Sequence, residues 1–323
     1  MSSVKELINK KQRELVVVVA IILLTIVFTV LYPSYLSWNT MTQVLQQATI
    51  NGIIAIGMTF AIISGGIDLS VGSVFAIIIV AVGSMTASGV HPLLAAVIGA
   101  VLGGVIGSIN GFMITKMNLQ PFIATLGTMS IFRGVAYVIT GGWPVMGIPD
   151  AFRDMFNHKI MKGIPNSVII MLVLAVIMSI VLSRTKFGNY LYSVGGNEEA
   201  AKLSGVNVDR TKIIGYVICG LCAGVAGMVM LASLGTGEPA AGQGYELDAI
   251  AAAAIGGTRM AGGKGTILGT ILGALLLAAL KIGMILLNVD TFYQYIATGV
   301  IIVLAAYFEF IQGRVGRMIA RRK

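Results

Sequence analysis

The run VVVVAIILLTIVFTVL at Val16–Leu31 carries no charge and no polar alternation, and IIMLVLAVIMSIVL at Ile169–Leu182 repeats the pattern far along the chain. A strand of an outer-membrane barrel would alternate in polarity over about ten residues. These runs do not, and their length matches the helix of about 20 residues that a bilayer core demands. Composition extends the same reading to the whole chain: of 323 residues 57% are hydrophobic and 11% charged, with mean hydropathy +0.92. Soluble domains hold about 25% charged residues, so a water-soluble globule is excluded. Two Cys and no Gly-X-Y period exclude a disulfide scaffold and collagen. The fold class is therefore all-α, a polytopic helical membrane protein of about ten transmembrane helices. No polar stretch is long enough for a second domain, and residues 1–323 read as one transmembrane unit.

Outward from Val16–Leu31, the basic segment 1–14 precedes a span too long for a signal-peptide core, followed by Tyr32-Pro33 rather than a cleavage site. Further spans are expected at 48–64, 70–87, 92–115, 121–139, 167–183, 213–234, 249–257, 266–287 and 292–311. The stretch at 249–257 is too short to cross unless residues 245–248 or the glycine-rich turn beyond extend it, and it reads equally as a half-helix. Ten crossings leave segments 33–47, 88–91, 235–245 and 288–291 on one side, without a single Lys or Arg. Three basic residues (Arg153, Lys159, Lys162) share that side and two (Arg133, Lys281) fall inside spans; the rest of the 22 lie opposite. By the positive-inside rule both termini are cytoplasmic. The net charge of +9 is thus topological, and nucleic-acid binding is not implied. The basic tail 312–323 is placed against anionic lipid headgroups.

The 41 glycines are concentrated where helices would pack. Gly99, Gly103, Gly107 and Gly111 recur every fourth residue, as do Gly265, Gly269 and Gly273, so each set lies along one helix face where a neighbouring backbone can approach closely. Packing within the subunit is the expected use and contact with a second copy the alternative. A faint repeat accompanies them: Ala55-Ile56-Gly57 before Gly65-Gly66 is echoed by Ala254-Ile255-Gly256 before Gly262-Gly263.

Enzymatic chemistry finds no support. His91 and His158 fall beside outer loops without partners at metal-ligand spacing, so neither a metal site nor a catalytic residue is assigned. Cys219-Gly220-Leu221-Cys222 sits inside an apolar span, where two small helix residues explain it. The glycine-rich stretch before Lys264 fails the phosphate-loop pattern twice: Thr258 stands where its first Gly belongs and Gly265 where Ser or Thr must hold magnesium. If ATP drives this protein, another subunit hydrolyses it.

Ion coupling needs ionisable groups within the membrane, and Asp68, Arg133 and Lys281 are the ones read there. Asp68 or Ser70 can cap the following helix, and one acid with two bases offers little for proton relay. The most informative polar segment is the inner loop 184–212. Within it Asn197 caps a short helix with Glu198 and Glu199 in its first turn and Gly205 closing it. Such a helix suits either docking of a soluble partner or lying in the membrane interface.

Four blocks resemble the membrane-spanning permeases of bacterial carbohydrate ABC importers: GMTFAIISGGIDLSVGS at 57–73, PFIATLGTMSIFRG at 121–134, GGNEEAAKLSGVNV at 195–208 and GYELDAIAAAAIGGTRMAGGKGTILGTILG at 244–273. The likeness covers about residues 15–310. It implies a permease subunit in the bacterial cytoplasmic membrane that imports ribose or a related monosaccharide. It also implies a second copy or a related permease, an ATP-binding subunit carrying ATP and magnesium on the inner face, and an extracytoplasmic sugar-binding protein. No cofactor is expected in this chain. The family's coupling segment maps onto Gly196, Asn197, Glu198, Glu199, Ala200, Ala201, Ser204, Gly205 and Val206, which tilts the reading of this helix toward docking. A sugar path needs polar groups that bind weakly, and Gln46, Gln47, Asn51, Asp68, Ser70 and Thr125 are the candidates by type and placement. The competing expectation is a self-sufficient ion-coupled transporter or facilitator.

Overall fold

The computed structural model describes residues 2–160, 163–304 and 307, with side chains described from Glu14 onward. The expected basic tail 312–323 and Lys162 lie outside the described residues. The order of elements is α1 (Ser2–Leu31), a 3-10 turn (Pro33–Leu36), α2 (Trp38–Ile63), α3 (Val71–Ala87), α4 (Pro92–Lys116), α5 (Pro121–Thr140), α6 (Asp150–Asn157), β1 (Lys159–Ile160), β2 (Ile164–Pro165) and α7 (Asn166–Arg184). It continues with α8 (Lys186–Gly196), α9 (Glu198–Leu203), α10 (Val208–Leu234), α11 (Tyr245–Ile255) and α12 (Ile267–Leu286). An apolar helix, α13, follows at Thr291–Leu304. Among the described residues, seven helices are long and apolar enough to cross a membrane: α1, α2, α4, α5, α7, α10 and α12. Helices α3 and α13 are apolar but shorter.

Helix α2 is the axis of the bundle. Its most apolar window is 89% buried, against 11% for α1, and it packs against α7, α8, α10, α11 and α12. From Ile53 through Ile63 every residue is buried and all but Thr59 are apolar. The sequence placed the start of this span at Ala48, with 33–47 as an outer loop. The helix instead begins at Trp38, because the Ser37 hydroxyl caps it by accepting from the Thr40 N–H at 3.3 Å. The polar residues 39–47 are thus helical.

The glycine ladders are used inside the subunit. A Cβ added at Gly103 would strike the Gly220 carbonyl, one at Gly107 the Tyr216 carbonyl, and one at Gly220 the Gly103 carbonyl, so α4 and α10 meet backbone to backbone. Gly269 and Gly273 do the same against Gly256 and Ala252, seating α12 on α11. Gly57 presses α2 onto α10 at Cys219 and Cys222. Both cysteines are free and buried.

Helix α11 is a half-helix. Its 11 residues span about 16 Å at 1.5 Å per residue, roughly half the hydrocarbon thickness. The irregular segment 235–244 precedes it, tied to Val145 by reciprocal backbone bonds from Gly237 of 3.0 and 2.7 Å. The two echoing turns meet as well: the Gly262 position lies against Gly65 and Gly195, so α2–α3 and α11–α12 turn back side by side.

Gly107→Ala is expected to lower stability by about 1–3 kcal/mol through forced separation of α4 and α10, although Ala is the better helix former. Gly127→Ala, where nothing lies within 4 Å of the added atom, is expected to be neutral or stabilising. Thermal unfolding of the two variants in one detergent compares them directly.

Candidate functional site

The coupling segment predicted from the sequence is a six-residue helix, α9, hung between α8 and α10. Helix α8, not anticipated within the 184–212 loop, starts where Thr185 caps it at the Gly188 N–H (3.2 Å). Asn197 closes α8 and opens α9, its Oδ1 accepting the Ala200 N–H at 3.0 Å. At the far end Ser204 is the C-cap and Gly205 adopts φ +81°. The Val206 N–H returns to the Ala201 carbonyl and the Gly205 N–H to the Lys202 carbonyl, each at 3.0 Å. This is the 6→1 and 5→2 pairing of a Schellman stop, which needs a left-handed residue at the Gly205 position. Gly205 is thus required by the backbone, and no atom lies within 4 Å of where its Cβ would stand.

Of the nine predicted coupling residues, Gly196, Asn197, Glu198, Glu199, Ala200, Ser204 and Gly205 are exposed. Ala201 is buried with Val194 and Val208, and Val206 packs on that small cluster, so these two anchor the helix. Glu198 accepts from Lys212 Nζ at 2.6 Å and ties α9 to α10. Sequence reading missed Leu203, which is 90% exposed on α9. A large apolar side chain at the tip of a capped polar helix was the available signal.

Behind α9 the chain is locked to the core. A Cβ at Gly195 would overlap the Ile63 carbonyl at the end of α2, and Gly263 donates its N–H to that same carbonyl at 3.0 Å. Gly263 also lies against Gly196. The Tyr192 hydroxyl donates to the Gly265 carbonyl at 2.8 Å, and burial pushes its pKa up to about 12, so the donor keeps its proton throughout the physiological range. Helices α8 and α2 and the 256–266 turn therefore form one contact at the base of α9.

The predicted pathway residues divide into three places. Asp68, Ser70 and Thr125 lie in a closed node. The Asp68 carboxylate accepts from the Ser70 N–H (2.9 Å), the Ser70 hydroxyl (2.6 Å) and Asn110 Nδ2 (3.3 Å). Thr128 donates to Asn110 Oδ1 at 2.8 Å, and Thr125 to the Ile67 carbonyl at 3.1 Å. Gln47 lies one turn before Asn51 on α2 and is half-buried, and Asn51 is buried with neither amide atom partnered. Gln46 lines a polar cleft at the start of α2.

Both basic residues inside spans have partners. Arg133 donates to the carbonyls of Pro239 (2.9 Å), Ala241 (2.6 Å) and Gly72 (3.1 Å), so its guanidinium satisfies the non-helical backbone ahead of α11. Lys281 bonds Asp248 at 2.6 Å, with side chains 25% and 8% exposed, and stands 5.9 Å from the centre of the Tyr245 ring. Asp248 and Glu246 are acids that sequence reading placed at the edge of a span. A lysine in mid-span was the signal that such a partner was needed.

The family described as branched-chain amino acid transport system / permease component matches residues 40–306. Among similar proteins, the ribose import permease protein RbsC of Bacillus subtilis (strain 168) is 46% identical over 89% of this chain and 89% of its own length. RbsC of Escherichia coli (strain K12) is 42% identical over 90% and 92%. The D-allose transport system permease protein AlsC of the same strain is 40% identical over 88% and 87%. No solved structure matches the chain.

Removing one member of a buried pair strands the other charge at a cost of about 3–5 kcal/mol, whereas apolar replacement of both is close to neutral. Lys281→Met is therefore expected to lower thermal stability in detergent strongly, and adding Asp248→Leu to restore most of it.

Proposed function

The chain belongs to the branched-chain amino acid transport system / permease component family, and we propose that its cargo is ribose or a closely related monosaccharide. It is the membrane-spanning permease subunit of an ABC sugar importer. The observation that carries the sugar reading is the 40–46% identity to ribose and allose permeases over about nine-tenths of each chain. The finer reading is a ten-crossing chain in the bacterial cytoplasmic membrane, with both termini inside. The charge asymmetry of the sequence supports it.

The working unit in this reading is two permeases, an ATP-binding subunit on the inner face that holds ATP and magnesium, and a sugar-binding protein outside. This chain performs no covalent chemistry. Closure of the ATPase dimer displaces α9, and the glycine contact at Gly195, Gly263 and Ile63 delivers that displacement to α2 and the α11–α12 turn. The outward- and inward-facing populations shift by the difference in ATPase affinity between them. Exposure of seven of the nine coupling residues and of Leu203 supports α9 as the docking element.

Vesicles holding this chain alone are expected to accumulate no ribose under a proton or sodium gradient. Vesicles with the full complex and internal ATP are expected to accumulate it, and accumulation by the chain alone defeats the reading in favour of an ion-coupled transporter. Leu203→Asp is expected to cut ATP hydrolysis stimulated by the loaded binding protein about tenfold or more, as loss of an apolar anchor does. Its high exposure leaves folding unaffected. Gly205→Asn, which tolerates the left-handed backbone, is expected to retain more of that stimulation than Gly205→Val.

A further inference from the structure

The turn between α2 and α3 carries a buried carboxylate whose two oxygens are served unequally. Asp68 Oδ1 accepts from the Ser70 N–H at 2.9 Å and the Ser70 hydroxyl at 2.6 Å. Asn110 Nδ2 is shared between Oδ1 and Oδ2 at 3.3 Å to each, just beyond the ordinary range for an amide donor. Beside this turn the Tyr216 hydroxyl is buried with no hydrogen-bond partner among the described residues. A Cβ at Gly66, two residues before Asp68, would strike it. We propose that Tyr216 is a positioning residue of the transport cycle: idle in this arrangement, its hydroxyl takes Asp68 Oδ2 from Asn110 in the opposite-facing one. The assignment rests on the importer reading above.

A buried phenol without a partner has given up water and gained nothing in exchange. Nearly all buried polar atoms are paired, so an unpaired one beside a weakly held acceptor marks a bond that belongs to another arrangement. A phenolic O–H on a carboxylate is a charge-assisted bond and outcompetes a stretched amide contact.

The packing shows what moves against what. Tyr216 and Asn110 sit on one block, since a Cβ at Gly107 of α4 would strike the Tyr216 carbonyl of α10 and Asn110 follows less than one turn later. The Asp68 turn is fastened elsewhere. It follows the Ile63 carbonyl, which accepts the Gly263 N–H at 3.0 Å, and Gly65 lies against Gly262, so it is joined to the base of α9. Its tie to α5 is one rotatable hydroxyl, Thr125 donating to the Ile67 carbonyl at 3.1 Å. Displacing the base of α9 therefore slides the turn past a block that offers Asp68 two donors in succession. Two discrete arrangements of one element are what coupling between remote places requires.

Tyr216→Phe removes the hydroxyl alone. In the purified full chain in detergent its melting temperature is expected to rise, because an unpaired buried group is gone. In the full complex in vesicles, ATP hydrolysis stimulated by sugar-loaded binding protein is expected to fall about tenfold, as loss of one hydrogen bond to a charged group implies. A merely structural role would move both readouts the same way. Asn110→Ala carries the opposite sign: a lower melting temperature, and unstimulated hydrolysis raised about threefold or more as the population shifts. A lower melting temperature for Tyr216→Phe, stimulated hydrolysis unchanged in it, or unstimulated hydrolysis unchanged in Asn110→Ala overturns the exchange and leaves the importer intact. Failure of loaded binding protein to stimulate the unmodified complex overturns the importer reading, and this assignment falls with it.

Discussion

Close contact between bare backbones holds this protein together. In a bilayer, lipid tails compete with side chains for apolar contact, so helices gain little by burying leucine against leucine and much by approaching until dispersion and carbonyl dipoles act at short range. Several joints of the bundle use that route. Helix α4 meets α10 at Gly103, Gly107 and Gly220, α12 meets α11 at Gly256, Gly269 and Gly273, and α2 meets α10 at Gly57. The joint beneath α9 is of the same kind, with Gly195 and Gly263 sharing the Ile63 carbonyl. Such joints have no side chain that can change rotamer and absorb strain.

The second constraint comes from the irregular segment 235–244 ahead of the short helix α11. Non-helical backbone packed inside a helical bundle must have its polar groups satisfied. Arg133 meets that demand for Pro239 and Ala241, and reaches α3 through Gly72. The half-helix then begins with Glu246 and Asp248 in its first turn, where acids favour the helix dipole, and Lys281 compensates the buried Asp248. Arg133, Asp248 and Lys281 thus form a framework around one short helix.

Much of this was legible in the sequence, for identifiable reasons. The long apolar runs set the helices to within a few residues at Pro92, Pro121 and Asn166, because Pro and Asn mark starts by chemistry local to themselves. The fourfold glycine spacing gave the ladders, though not their partners, which depend on tertiary placement. Asn197 and Gly205 set the ends of α9 because caps are local motifs. Three features escaped. The first turns of α2 are polar for a tertiary reason, the cleft beside them, and polarity alone reads as loop. The acids of α11 take their meaning from Lys281, 33 residues away. Leu203 was passed over because one exposed leucine acquires weight only once its neighbours are known to be polar and fixed.

Helix α2 links two remote places: Gln46 near one end and the Ile63 carbonyl at the other, about 26 Å apart at 1.5 Å per residue. Between them every residue from Ala48 to Ile63 is buried. Substitutions near Trp38 and near Ile63 therefore meet separate sets of neighbours. One end of this rod is thus free to vary while the other is held by the glycine joint at Gly195 and Gly263.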